Sequence, residues 1–239
     1  MNYWASTRAP RYSIVFAVPL LLLYEGLAWG LGRTGVSQVR NGADVLLKNL
    51  FLALGGRYGL TAFAGLMLVV GFYLVGRDVR KNGAPVARTY AGMAAESVLY
   101  ALLLGFVASA LTSMLLTGRL AIVQGAPAEG FSLPVQLMVS LGAGLYEELL
   151  FRVILVSGLA ALGTRVFGWK TVPAGIFAAV VGAVIFSGFH YVGPYGDPFQ
   201  VGSFTFRAIA GLLFSGLYLT RGFGITAWSH ALYDVFLTL

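Results

Sequence analysis

Long apolar stretches follow one another along this chain, and short segments with most of the charged residues separate them. A helix needs about 20 consecutive, mostly apolar residues to cross a bilayer. Another stretch, 43–56, is apolar but short and contains Lys48, which predicts an interfacial or re-entrant helix or a short eighth span. Seven longer stretches each predict a membrane-spanning helix: 13–31, 59–76, 91–117, 135–163, 172–191, 203–220 and 223–239.

The composition indicates a membrane protein, because 58% of the 239 residues are hydrophobic and only 10% are charged. An ordinary soluble domain has about 45–50% apolar and about 25% charged residues. This excess of apolar side chains argues against a soluble enzyme, a disordered chain and a nucleic-acid-binding module. We therefore expect an all-α, polytopic transmembrane helical bundle of seven to eight spans, which forms one integral membrane domain over residues 1–239.

The basic residues predict how the chain lies in the membrane. The 16 Lys and Arg residues outnumber the nine acidic residues and mostly lie between the apolar stretches. Positive charge is enriched in cytoplasmic loops. With seven spans, nine basic residues lie on the side of the N-terminus and six lie on the other side. We therefore expect a multi-pass protein of the cell membrane with a cytoplasmic N-terminus. We assign the basic pI of 9.8 to topology and lipid headgroups, so the bilayer is an expected partner and nucleic acid is not.

Ionisable residues within the apolar stretches are candidates for function, since a charge at the bilayer centre costs at least about 2.5–3.5 kcal/mol. The first motif is Glu147-Glu148-x-x-x-Arg152. On an α-helix, Arg152 shares a face with Glu148 and can neutralise it. Glu147 points about 100° away and is left free to act as a general base. The alternative is a buried ion-pair network that only fixes helix packing.

Two further motifs contain the two histidines. Phe186-x-x-x-His190 places an aromatic ring over the imidazole one turn away, although an interfacial histidine is the alternative. In His230-x-x-x-Asp234, His230 could donate to a developing oxyanion while Asp234 orients it or holds a water. A metal site or a structural hydrogen bond would use the same pair. Together, the three motifs predict a polar catalytic cavity assembled between helices.

The residues and motifs that the chain lacks argue against some cofactors and catalytic groups. The chain has no cysteine, which excludes disulfides, thiolate zinc sites and a cysteine nucleophile. The H-E-x-x-H motif of zinc-dependent intramembrane proteases is also missing. We therefore favour a reaction without a cofactor. In the alternative, a divalent metal such as zinc would be held by Glu147, His190 and His230.

In their order and their placement on separate predicted spans, the three motifs resemble those of the CPBP family of CAAX proteases and bacteriocin-processing enzymes, also called Abi. Proteins of that family are similar to this chain in having the motifs EExxxR, FxxxH and HxxxN/D. The resemblance covers about residues 135–239, the family-like catalytic core. It implies an intramembrane endopeptidase that hydrolyses a peptide bond of a membrane-anchored or membrane-proximal protein or peptide.

The resemblance also implies a role for each motif residue. Glu147 would activate the attacking water and share it with His190, whereas His230 and Asp234 would stabilise the tetrahedral oxyanion. Asp234 stands where the Ras-processing relatives typically have asparagine, so orientation of His230 or metal binding is the alternative role for this residue. The supporting residues that would hold the geometry of the site are Glu148, Arg152 and Phe186.

Other functions remain open. A non-catalytic immunity or assembly factor would keep the same membrane scaffold without cleaving a peptide. A transporter or proton channel would also place acids within spans, but transporters usually show inverted repeats, and none is evident here. A prenylated C-terminal peptide, a bacteriocin precursor and a sorting-signal protein are all compatible substrates for a member of the family.

Overall fold

The structure is a computed structural model, described here for residues 3–33, 39–119, 131–193 and 196–239. These residues form helices and no strand, which confirms the all-α prediction. A 3₁₀ turn at Gly56–Tyr58 and a π-helical segment at Ala143–Val156, called the π segment below, interrupt the α-helices. The α-helices are α1 (Tyr3–Ser6), α2 (Pro10–Arg33), α3 (Gly42–Gly55), α4 (Gly59–Asn82), α5 (Ala87–Thr117), α6 (Leu133–Gly142), α7 (Ser157–Arg165), α8 (Thr171–Phe189), α9 (Val201–Arg221) and α10 (Phe223–Thr238).

The helices agree with a polytopic membrane bundle. Among the described residues, five helical stretches are long and apolar enough to cross a membrane: Pro10–Arg33, Gly42–Asn82, Ala87–Thr117, Thr171–Phe189 and Val201–Arg221. The predicted span 135–163 lies within a continuous helical stretch formed by α6, the π segment and α7. The predicted span 223–239 is α10, whose 16 residues extend about 24 Å.

The short apolar stretch predicted at 43–56 is helix α3. Its 14 residues extend about 21 Å, which is less than the roughly 30 Å hydrocarbon core of a bilayer. The chain reverses direction at the 3₁₀ turn, so that the ring of Phe51 packs against Phe63 of α4 with 5.2 Å between ring centroids. Helices α3 and α4 therefore form a hairpin, and α3 is the short helix of this pair.

The segment that contains the first motif differs from the prediction. An α-helix was expected over 135–163, but residues Ala143–Val156 form a π-helix with wider turns. The N–H of Ser157 at its end accordingly bonds the carbonyl of Arg152, five residues back. Apolar periodicity does not distinguish the two helix types here, and π-helical turns are frequent at functional sites.

Helix α10 lies inside the bundle, in contact with α2, α5, α6, α9 and the π segment. Small residues allow the close approach to the π segment: a Cβ atom at Gly144 would overlap the carbonyl oxygen of Ala227 and the side chain of Ala231. This backbone contact brings the first and third motifs within reach of one another.

A separate buried ion pair ties the N-terminus to the bundle. Arg221, at the end of α9, donates two hydrogen bonds of 2.9 and 2.8 Å to the carboxylate of Glu96 on α5. The Arg221 guanidinium also lies over the ring of Trp4, at 4.0 Å from the centroid. This pair is structural and belongs to a different set of contacts from the three motifs.

Candidate active site

The carboxylate of Glu148 is fully buried and joins two of the motifs. Its Oε1 atom accepts a hydrogen bond of 2.6 Å from Nδ1 of His230 on α10. The same oxygen lies 3.2 Å from Nη1 of Arg152, so the ion pair expected between Glu148 and Arg152 is present. Glu148 therefore links the π segment to α10 and has its charge balanced by a neighbour one turn away.

Aromatic rings hold the Arg152 guanidinium, which is itself fully buried. Its central carbon lies 4.3 Å from the centroid of the Phe186 ring and 5.7 Å from that of Phe214. Phe214 in turn stacks on the imidazole of His230, with 4.6 Å between centroids and 21° between planes. These contacts hold Arg152 and His230 beside the same oxygen of the Glu148 carboxylate.

Glu147 has a different set of partners from its neighbour. Its Oε1 atom accepts a hydrogen bond of 2.8 Å from the side-chain amide of Asn41. Its Oε2 atom lies 4.0 Å from Nε2 of His190, which follows the last residue of α8. The Nδ1 atom of His190 lies 2.9 Å from the carbonyl oxygen of Phe186 and donates to it, so Nε2 of the neutral ring is an acceptor.

The predicted contact between Phe186 and His190 is present. The two rings meet edge to face, with 4.9 Å between centroids and 79° between planes. Phe186 is buried, whereas the side chain of His190 is 24% exposed and that of Glu147 is 9% exposed. The site therefore opens towards the outside of the bundle on the His190 side.

Asp234 lies one turn after His230 on α10. Its Oδ2 atom is 3.7 Å from Nε2 of His230, which is too long for a direct hydrogen bond and leaves an electrostatic contact. The side chain of Asp234 is 28% exposed. The structure therefore places Asp234 at the open edge of the site, where it can orient His230.

The alternative zinc site would use Glu147, His190 and His230. Among the described residues, no group of three His, Cys, Asp or Glu side chains is placed to hold a metal ion. Nδ1 of His230 is bonded to Glu148, and Nδ1 of His190 is bonded to a carbonyl. These bonds leave Nε2 of each imidazole as the nitrogen that could bind a metal ion.

One comparison with known proteins links part of the sequence to a family. Residues 129–236 match one family model, described as type II CAAX prenyl endopeptidase Rce1-like. The match supports the resemblance of this part of the chain to the CPBP family. No curated protein and no solved structure matches the chain. The description of this family model supports an intramembrane endopeptidase at the level of the family.

The family-matched segment contains all three motifs, but the site also includes residues that the sequence did not reveal. Asn41 comes from the α3 hairpin, outside the matched segment, and Phe214 comes from α9. An asparagine before an apolar helix is a recognisable N-cap signal, and Asn41 does cap α3. Its contact with Glu147 has no signal in the sequence, and neither does the stacking of Phe214 on His230.

Proposed function

We propose that the chain is an intramembrane endopeptidase in which Glu147 activates the attacking water without a metal. The observation that supports this proposal most directly is the 4.0 Å separation between Oε2 of Glu147 and Nε2 of His190. Both atoms accept hydrogen bonds, and both lie on the open side of the site. A water molecule with two O–H donors is the natural bridge between two such acceptors.

The spacing suits that water. A water oxygen about 2.8 Å from each acceptor would span the gap with an angle roughly equal to that between its two O–H bonds. Its lone pairs would then face away from Glu147 and His190, towards a substrate carbonyl. As the oxygen attacks the carbonyl carbon, one proton passes to Glu147 and the carbonyl oxygen becomes an oxyanion.

His230 would receive the oxyanion. Its Nδ1–H is donated to Glu148, so the oxyanion would accept from an N–H at Nε2. A ring with both protons is an imidazolium, and the carboxylates of Glu148 and Asp234 would balance its charge. Asp234 would orient the ring. When the tetrahedral intermediate collapses, the C–N bond breaks and the proton held by Glu147 passes to the leaving amine.

The proposed substrate is a peptide that the membrane itself delivers. The site lies between helices whose outer faces are rich in exposed apolar side chains, so a lipid-anchored or membrane-proximal segment could approach it within the bilayer. The family's description as a prenyl endopeptidase makes a prenylated C-terminal peptide the first candidate. A bacteriocin precursor and a sorting-signal protein are further candidates for the same chemistry.

A comparison of protein termini in cells tests the proposal and identifies the substrate. Membranes from cells with the wild-type chain and from cells with Glu147→Ala are analysed for the N- and C-terminal ends of their proteins. We expect at least one membrane protein to be shortened only in the wild type. Identical termini, with the variant present at a normal level in the membrane, would favour a non-catalytic immunity or assembly factor.

A further inference from the structure

We propose that Asn41 is a positioning residue for the carboxylate of Glu147. The α3 hairpin, which lies outside the family-matched segment 129–236, would thereby complete the active site. This inference rests on the proposed function, because it assigns a partner to the residue that activates water.

Both polar atoms of the Asn41 side chain have hydrogen-bond partners, and the residue is 3% exposed. Its Oδ1 accepts from the backbone N–H of Ala43 at 2.9 Å, which caps α3. Its own backbone N–H donates to the hydroxyl of Tyr24 at 3.3 Å, and its Nδ2 donates to Oε1 of Glu147 at 2.8 Å. A rotated amide would lose both side-chain bonds, so the donor is held towards Glu147.

Buried groups behind Asn41 keep it in place. The hydroxyl of Tyr24 donates to Oδ2 of Asp44 at 2.7 Å, and Asp44 is fully buried on the first turn of α3. Lys48, one turn further, balances this charge with Nζ at 2.7 Å from Oδ1 of Asp44. The backbone of Asn41 is thus bonded to Tyr24 of α2, and the helix that Asn41 caps contains the ion pair of Asp44 with Lys48.

A second connection from the same region reaches the residue before Glu147. Glu25 on α2 accepts hydrogen bonds from Arg40 at 2.8 Å and from Lys48 at 3.1 Å. The hydroxyl of Tyr146 also donates to Glu25, at 3.0 Å. Two consecutive residues of the π segment, Tyr146 and Glu147, are therefore held from α2 and the α3 hairpin.

A glycine makes this approach sterically feasible. A Cβ atom at Gly142, directly before the π segment, would lie 2.8 Å from Cβ of Asn41 and 2.5 Å from the ring of Tyr24. The hairpin can therefore reach the π segment only because position 142 has no side chain.

The effect expected from Asn41 is on the chemical step. A hydrogen bond to an ionised carboxylate holds one oxygen, Oε1, and leaves Oε2 directed at His190. Without the donor, the carboxylate can rotate away from the water-binding position. Since a hydrogen bond to a charged group contributes about 10- to 100-fold to an equilibrium, we expect a comparable loss in kcat.

Variants that preserve the cap separate positioning from folding. Asn41→Ser and Asn41→Thr both keep an acceptor for the N-terminus of α3, but their hydroxyl is too short to donate to Glu147 as the amide does. Asn49→Ser is the matched control, because Asn49 lies on the exposed face of the same helix. Cleavage of a farnesylated peptide with a C-terminal CAAX sequence is measured in proteoliposomes, together with the unfolding temperature of each variant.

The expected result for both Asn41 variants is a kcat about 10- to 100-fold below that of the wild type. We expect their KM to change little and their unfolding temperature to fall but to stay well above the assay temperature, and we expect Asn49→Ser to behave as the wild type. Wild-type kcat in either Asn41 variant would overturn the proposal. A loss of activity that only follows a lower unfolding temperature would overturn it as well.

A cross-link tests the contact independently of cleavage. Because the chain has no cysteine, Asn41→Cys with Glu147→Cys gives a unique pair for a short cross-linker with two thiol-reactive groups, and Asn49→Cys with Glu147→Cys is the control. We expect cross-linking of the first pair only, and equal or absent cross-linking would overturn the proposal.

If Glu147→Gln cleaves the peptide as fast as the wild type, the proposed function fails, while the cross-link still decides whether Asn41 holds position 147.

Discussion

Nδ1 of His230 donates to Oε1 of Glu148 across 2.6 Å, and this buried bond joins α10 to the π segment. Arg152 balances the same carboxylate. The adjacent carboxylate, on Glu147, instead faces His190 on the open side of the site. Two neighbouring acids in one motif therefore have separate sets of partners, one that holds the helices together and one that can act on a bound molecule.

This separation predicts opposite outcomes for two matched variants. Glu148→Gln leaves the fully buried guanidinium of Arg152 without a counter-charge, so we expect the free energy of unfolding to fall by about 3–5 kcal/mol. Glu147→Gln keeps the volume of the side chain and leaves the direct ion pair of Glu148 with Arg152 intact, so we expect a much smaller change. Thermal or denaturant unfolding in detergent measures both. Equal destabilisation by the two variants would contradict the division of roles.

The close approach of the π segment to α10 gives a second prediction. Gly144→Ala places a methyl group against the carbonyl of Ala227, so we expect a loss of about 1–3 kcal/mol of stability and a displaced His230. Gly158→Ala is the control in the same continuous helical stretch, because nothing lies within 4 Å of a Cβ atom there. We expect it to be neutral or stabilising. A similar loss for both variants, measured by unfolding, would mean that the two segments do not pack this closely.

Asp234 is predicted to act through His230. Asp234→Asn keeps an oxygen that can accept from the imidazole and adds an amide donor, so we expect it to retain most of the cleavage rate. Asp234→Leu removes both and leaves the Nε2 side of His230 without its polar neighbour, so we expect a large loss of kcat. Steady-state kinetics on a lipidated peptide compare the two. If Asn is as inactive as Leu, the negative charge itself is needed.

Metal independence is a further prediction. In the described part of the structure, no three His, Asp or Glu side chains are placed to hold a metal ion, and the 4.0 Å gap between Glu147 and His190 fits a bridging water. We therefore expect the cleavage rate to survive treatment with a strong chelator. Metal analysis of the purified protein should find less than one zinc per chain. Stoichiometric zinc, with activity lost to chelation and restored by zinc, would replace the glutamate mechanism.

The membrane helices could be predicted well because apolar length is the dominant signal in a bilayer. The prediction of 203–220 corresponds to Val201–Arg221, and that of 172–191 corresponds to Thr171–Phe189 with His190 just beyond it. The pairing of Glu148 with Arg152 was also predictable, since it depends only on local spacing.

Other features depend on tertiary contacts that spacing does not encode. The π-helical form of Ala143–Val156 has the same apolar pattern as an α-helix. The contact between Asn41 and Glu147 joins residues 106 positions apart in the sequence. Likewise, nothing in the sequence distinguishes Phe214 from the other apolar residues of its span, and its stacking on His230 depends on the packing of α9.

The most direct test of the central claim is the rate at which purified protein in proteoliposomes cleaves a lipidated peptide. The wild type is compared with Glu147→Gln and with Glu96→Gln, which makes the same change in the remote ion pair with Arg221. Per folded molecule, we expect Glu96→Gln to cleave like the wild type and Glu147→Gln to be slower by about 10²- to 10⁴-fold, the usual contribution of a general base. Cleavage by Glu147→Gln at the wild-type rate would contradict the account.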